Sequence, residues 1–386
     1  MKQVQNGRFF NRILKLQNHK RWIEHKPEHE DNSASKSFKV AVYTMLAAYI
    51  ERDIYKTEVD VERAVCSAVF HNLNRTGIGR MKYETQQDEK IQPLLQTYKH
   101  QLNLQLVSFL SSSMQEAFTQ YIVNAEDSST IEGRLVTACD VFEAMVFCHR
   151  EVIDGKQSKF FRDKYEELSE KMKNHELASI RYLKEEFDKR EDFYNFMYEV
   201  MEMDQVDRWD GKTSLIEDHD ATHIYRSTAK AIYFAVYEKV KHGVDIDLLR
   251  LVGKTLTHDL PEIRGGDTLG PTKDAIPGMK EAFEELEGGF ATKIVNQLPS
   301  FLRGYFDDYM VEPKSDDYEG MMVDIVDKID ALIKANRERK ISPIEYEVVY
   351  RKQLKKVQHL YGEVPCVLFF LAFILPDLDD PMIEEN

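Results

Sequence analysis

Apolar residues recur at three- and four-residue intervals through most of the chain, the period of a helix that buries one face. Phe9, Ile13 and Leu14 begin the first such stripe, and others run over 193–203, from His223 onward, over 246–257 and over 319–335. Only 17 glycines and 11 prolines interrupt 386 residues, so the pattern predicts an all-α protein. The strongest apolar run, 364–375, is broken by Pro365 and is shorter than the ~20 residues a bilayer span needs. A buried C-terminal helix or a subunit contact is expected there, and no membrane association.

The pattern repeats. Displacing the first half by 187 positions lays Arg21-Trp22 on Arg208-Trp209, Phe38 on Tyr225, His71 on His258 and Gly79 on Gly266. Glu132-Gly133 falls on Glu319-Gly320 and Asp140 on Asp327 at the same offset. Two tandem copies of one helical domain are therefore expected, 1–187 and 188–386. The joining region, 174–190, is rich in Lys and Glu and lacks Gly and Pro runs, which predicts a solvated helix and not a flexible linker.

Charge separates the copies. The first carries 27 basic and 27 acidic residues and the second 25 and 40, so the whole net charge of −15 sits in the second. An acidic chain is a poor candidate for bulk nucleic-acid binding, which needs many cations against phosphates. The four cysteines, Cys66, Cys139, Cys148 and Cys366, have no close metal-ligand spacing. They read as free thiols in a cytoplasmic protein.

Candidate chemistry centres on LTHDLPEIRGGD at 256–267. An imidazole and a carboxylate at a helix end, His258 and Asp259, are ordinary ligands for a divalent metal. Asp327 lies among Val323, Val326 and Leu332, so its carboxylate is expected to point inward, where a metal would be a suitable partner. A fourth ligand is available upstream from His223, or from His219 one helical turn earlier.

In order and spacing, His223, His258-Asp259 and Asp327 resemble the HD phosphohydrolases, and within them the bacterial 5′-deoxynucleotidases of the YfbR type. The resemblance also takes in Arg208-Trp209, the block HDLPEIRGGD, Lys273 and the later DKIDAL. It implies two tandem HD-type domains, the second holding one divalent ion (Co²⁺, Mn²⁺, Zn²⁺, Mg²⁺ or Fe²⁺) through His223, His258, Asp259 and Asp327. It further implies Glu262 and Asp267 as the proton-handling catalytic residues, with Arg208 and Lys273 on the phosphate. Trp209 would face the sugar and disfavour a 2′-hydroxyl, or else belong to the core. The implied substrate is a deoxynucleoside 5′-monophosphate; a nucleoside triphosphate or a signalling nucleotide stays open, as does a homodimer. A non-catalytic nucleotide sensor or partner-binding protein is the remaining alternative.

At the same offset, the ligand positions of the first copy read Lys36, His71, Asn72 and Asp140, and Arg75 and Arg80 replace Glu262 and Asp267. A protonated lysine has no lone pair for a metal, so the first copy is expected to be degenerate, with the Lys36 charge near Asp140. Its basic edge, Arg21, Lys36, Arg75 and Arg80, belongs either to a scaffold or to an effector site.

Overall fold

The computed structural model describes residues 5–79, 81–155, 158–273 and 275–380. The first copy is built on α1 (Asn6–Lys15), α2 (Ser33–Asp53), α3 (Val61–Phe70) and α4 (Ile131–Ile153). After a connecting helix α5 (Ala178–Lys189), the second is built on α6 (Asp192–Glu202), α7 (Asp220–His242), α8 (Leu248–Thr257) and α9 (Tyr318–Glu338). Among the described residues no strand forms; two isolated bridges, Lys20–Asn32 and Asp207–His219, stand 187 positions apart. The chain is all-α, built as two tandem copies of one helical domain.

The repeat extends to the devices that start each helix. α2, α3 and α4 begin 187 residues before α7, α8 and α9. Asp60 and Asp247 cap α3 and α8, each accepting at 2.9 Å from the backbone N–H three residues on. The N–H groups of these caps donate at 2.9 Å to Glu132 and Glu319, in the first turns of α4 and α9. Those turns also hold Gly133 and Gly320, where an added Cβ would lie 2.3 Å from the Asp127 carbonyl oxygen and 2.1 Å from that of Ser315. Trp22 and Trp209 share a left-handed backbone, at φ 58° and 64°.

α2 and α7 pack on each other across the two copies. Both are buried on nearly every side over their first four turns, which is why neither shows a narrow apolar stripe. One hydrophobic core runs through both copies. Polar contacts across the join are reciprocal. Gln17 of the first copy accepts from Arg226 of the second at 2.5 Å. Its counterpart Asp204 receives Lys39, the counterpart of Arg226, at 2.5 Å, and Arg150 at 2.8 Å. Residue i meets j and j meets i, the relation of a two-fold interface, here within one chain.

The connecting helix departs from the expectation of a solvated one. Ile180, Leu183 and Phe187 are buried, and the Ser179 N–H donates to Glu51 at 2.9 Å. The Lys and Glu residues dominate the composition of this segment, yet its three large apolar residues recur on one face, and that face decides the packing. Arg190, in the left-handed region at φ 60°, closes α5. At the C-terminus, 365–377 buries Cys366, Val367, Phe370 and Ile374 while Leu368 and Phe373 face outward. No helix is long and apolar enough to cross a membrane among the described residues. All four cysteines are buried and free.

Candidate metal centre

Three helices bring the second copy's candidate ligands together. His223 lies in the first turn of α7, His258 and Asp259 follow the end of α8, and Asp327 lies on α9. His223, His258 and Asp259 each offer a ligand atom within 4.8 Å of the others. Asp327 stands outside that triplet, but its Oδ1 is 3.2 Å from His223 Nε2. Its other oxygen is held at 2.6 Å by Lys314, a cation that drew no attention in the sequence.

Both imidazoles are oriented from behind. His258 Nδ1 donates to the Thr255 carbonyl at 3.0 Å, and His223 Nδ1 donates to Asp330 at 2.8 Å. Each ring is thereby left with Nε2 as its ligand atom. Both Nε2 atoms are buried and neither has a hydrogen-bond partner, although Asp259 Oδ2 stands 3.4 Å from one and 3.2 Å from the other. Two buried lone pairs without a donor, flanked by carboxylates, fit a divalent cation. His219 is the N-cap of α7 and is not in this group.

The buried carboxylate of α9 is Asp330 and not Asp327, whose side chain keeps 25% of its surface exposed. Residues three apart share a helix face, and of the two Asp330 is the deeper. It receives His223, Arg226 and Lys230, with Arg226 Nη2 at 2.7 Å. Burial alone would raise its pKa, but these cations hold it well below the usual carboxylate range. For His223, burial and Arg208 oppose the charged form, yet the nearby Asp327 carboxylate and the bond to Asp330 lift the pKa to about 9. Burial lowers that of His258.

A second acidic group adjoins the first. Asp220, Glu262 and Asp267 bring carboxylate oxygens within 4.8 Å of one another; Asp220, fully buried, is a member that sequence reasoning missed. Its signal was the i, i+3 spacing to His223 on α7. Arg208 bridges the two groups, 2.8 Å from Asp220, 3.4 Å from Asp259 and 4.0 Å from Asp267. Burial pushes the Asp220 pKa up to about 7. Burial, then the neighbouring Asp259 and Asp220, pushes that of Glu262 well above the carboxylate range. Asp267 is raised by burial as well.

Lys273 is near these acids but binds Glu287 at 2.6 Å and makes no direct bond to the group. Trp209 is half-buried with its ring centroid 6.1 Å from that of Tyr346, so it is neither sealed in the core nor wholly exposed.

The same frame in the first copy is filled differently. His71 Nδ1 donates to the Ala68 carbonyl at 2.6 Å, the counterpart of the His258–Thr255 bond. Its Nε2, however, meets Asp140 at 2.9 Å and Asn72 Nδ2 at 2.6 Å. Lys36 Nζ lies 2.5 Å from Asp140, as expected for a charge standing near the ligand carboxylate. Arg75 Nε donates to Asn72 Oδ1 at 2.8 Å; Arg80 lies outside the described residues.

A family model described as 5′-deoxynucleotidase YfbR-like matches residues 8–190 and again 195–378. A 5′-deoxynucleotidase of Pasteurella multocida (strain Pm70) is 21% identical over 179 residues, 46% of this chain and 91% of that relative. The crystal structure of an HD-domain phosphohydrolase from Listeria innocua is 26% identical and covers 50% of this chain and 92% of that one, with a TM-score of 0.45.

Proposed function

Since the chain belongs to the YfbR-like 5′-deoxynucleotidase family, represented in both of its halves, we propose that its second copy is a metal-dependent phosphohydrolase releasing phosphate from deoxynucleoside 5′-monophosphates. The observation that carries this reading is the pair of buried, unpartnered Nε2 atoms of His223 and His258 beside a second group of three carboxyls, Asp220, Glu262 and Asp267. One ion would be held by His223, His258, Asp259 and Asp327, a donor set that Co²⁺, Mn²⁺, Zn²⁺, Mg²⁺ and Fe²⁺ all accept. When bound, such an ion supplies Lewis acidity, lowering the pKa of a water and polarising a phosphoryl oxygen.

The chain's own residues do the rest. Arg208 Nε is buried without a hydrogen-bond partner, so it is free to donate to a phosphate oxygen while Nη1 stays on Asp220. Glu262, whose pKa is raised by burial and then by Asp259 and Asp220, would give its proton to the leaving 5′ oxygen. Asp267 stands by to re-protonate it. Trp209 on Tyr346 offers an apolar wall for the sugar, where an extra hydroxyl would lose its hydration without gaining a partner.

Hydrolysis of a nucleoside triphosphate is the weaker reading. The relative from Pasteurella multocida is described as a 5′-deoxynucleotidase, which supports the monophosphate over it.

The test is phosphate release from a panel of deoxy- and ribonucleoside mono- and triphosphates with Co²⁺ or Mn²⁺, for wild type and Asp259→Ala. Deoxynucleoside monophosphates should turn over fastest, and Asp259→Ala should fall to background. Metal-loaded protein that releases phosphate from no monophosphate overturns the proposal.

A further inference from the structure

The first copy has inverted the charge of its site. Where the second copy has Asp220, Asp259 and Glu262, the first has Ser33, Asn72 and Arg75. Asp140 is already occupied by Lys36 and His71, and Arg21 is occupied by Asp31 and, at 3.0 Å, by Glu143. Two cations remain over. Arg75 spends only its Nε, on Asn72, which leaves the rest of the guanidinium fork for another acceptor. Lys99 is half-buried on the neighbouring helix Ile91–Ser108.

Among the described residues, neither Arg75 nor Lys99 has an ion-pair partner. Glu126, whose carboxylate acts on both, is exposed and pairs with neither. Burial lowers the pKa of both; at Arg75 the nearby Arg21 adds to it against the pull of Asp140, and at Lys99 the Arg75 guanidinium adds to it. His19 is also beside Arg75, its pKa lowered by burial and by that guanidinium, and its ring can donate a hydrogen bond. Asp140 keeps 27% of its side chain exposed, so the site is open to solvent.

We propose that this vestigial site binds a phosphoryl dianion, free or carried on a nucleotide, held by Arg75 and Lys99 with the His19 imidazole as a further hydrogen-bond donor. A fork of guanidinium N–H groups beside an ammonium is matched to phosphate oxygens. Partly desolvated cations without counter-ions gain most from such a ligand. The metal of the second copy is not needed here, because Lys36 already neutralises Asp140 and keeps that carboxylate from repelling the anion.

The experiment is isothermal titration of the metal-loaded full chain with inorganic phosphate and, separately, with dAMP bearing a non-hydrolysable methylene phosphonate, for wild type, Arg75→Glu and Lys99→Glu. Wild type should bind two equivalents of inorganic phosphate. Each variant should weaken one of the two sites by roughly tenfold or more and leave nucleotidase turnover at saturating substrate unchanged. Lys99→Glu, on a separate helix, keeps the test valid if Arg75→Glu fails to fold. If the phosphonate occupies the variant-sensitive site tighter than phosphate does, the physiological ligand is a nucleotide; equal or weaker binding assigns it to free phosphate. One phosphate site in wild type, or two that both variants leave untouched, overturns the proposal. Absence of turnover alone would instead overturn the reading of the second copy.

Discussion

At His223 the proton on Nδ1 goes to Asp330 at 2.8 Å, and that bond determines which nitrogen faces the ligand cluster. The carboxylate also raises the basicity of the ring. Asp330→Asn should therefore weaken Co²⁺ binding about 10- to 100-fold in competition with a chelator, whereas Asp324→Asn, on the same helix but paired to Lys328 and Tyr361, should change it little. Equal effects would remove Asp330 from the role. The difference between Asp327 and Asp330 also marks how far the site could be read from the residues. Types and separations are enough to propose His223, His258, Asp259 and Asp327 as a set. They do not tell which of two aspartates three apart sits deeper, because both lie on the same face of α9 and their depth is set by Arg226 and Lys230 on α7. Asp220 was hidden for a similar reason: its meaning comes from Glu262 and Asp267, some forty residues away in the chain.

At the scale of elements, the start of α9 fixes Asp327 and Asp330 by one close approach. Gly320 has no room for a Cβ, with the Ser315 carbonyl oxygen 2.1 Å from where it would stand. Its N–H is tied to the Asp317 cap at 2.8 Å. Gly320→Ala must move the 315 turn or the helix start, and should cost about 2 kcal/mol or more in urea unfolding; a loss below half of that would show that the turn yields freely. Helix positions were largely legible from apolar spacing, since α1, α6 and α8 each present one face to the core. α2 and α7 were harder to interpret, being buried on both sides against each other, so that periodicity shows the helix without showing its neighbour. The same limit applies to α5, where abundant Lys and Glu mask the face carrying Ile180, Leu183 and Phe187.

For the whole molecule, the join between copies depends on charge. Burial would raise the pKa of Asp204, but Lys39 and Arg150 outweigh it and hold the carboxyl below the usual range. A depressed folded-state pKa contributes stability that is present above the unfolded value, about 4, and lost as pH falls below it. His149, pushed down to about 3 by burial and then by Arg190, acts in the same sense from about pH 6.5 downward. Wild type should thus lose urea resistance steadily below pH 6. Asp204→Asn should be less stable at pH 7 but lose less between pH 5 and pH 3, and parallel losses in the two proteins would refute the assignment.

The reciprocal join also gives the first copy a bearing on chemistry carried out in the second. Gln17 holds Arg226, Arg226 holds Asp330, and Asp330 orients His223, so a relay of three bonds runs from a copy with altered ligand positions to a candidate ligand in the other. In an assembly of two separate chains such support would fade on dilution. Here the two halves are tethered and remain at high effective concentration however few molecules are present. This support for His223 is then independent of protein concentration, and it lasts as long as the first copy presents Gln17.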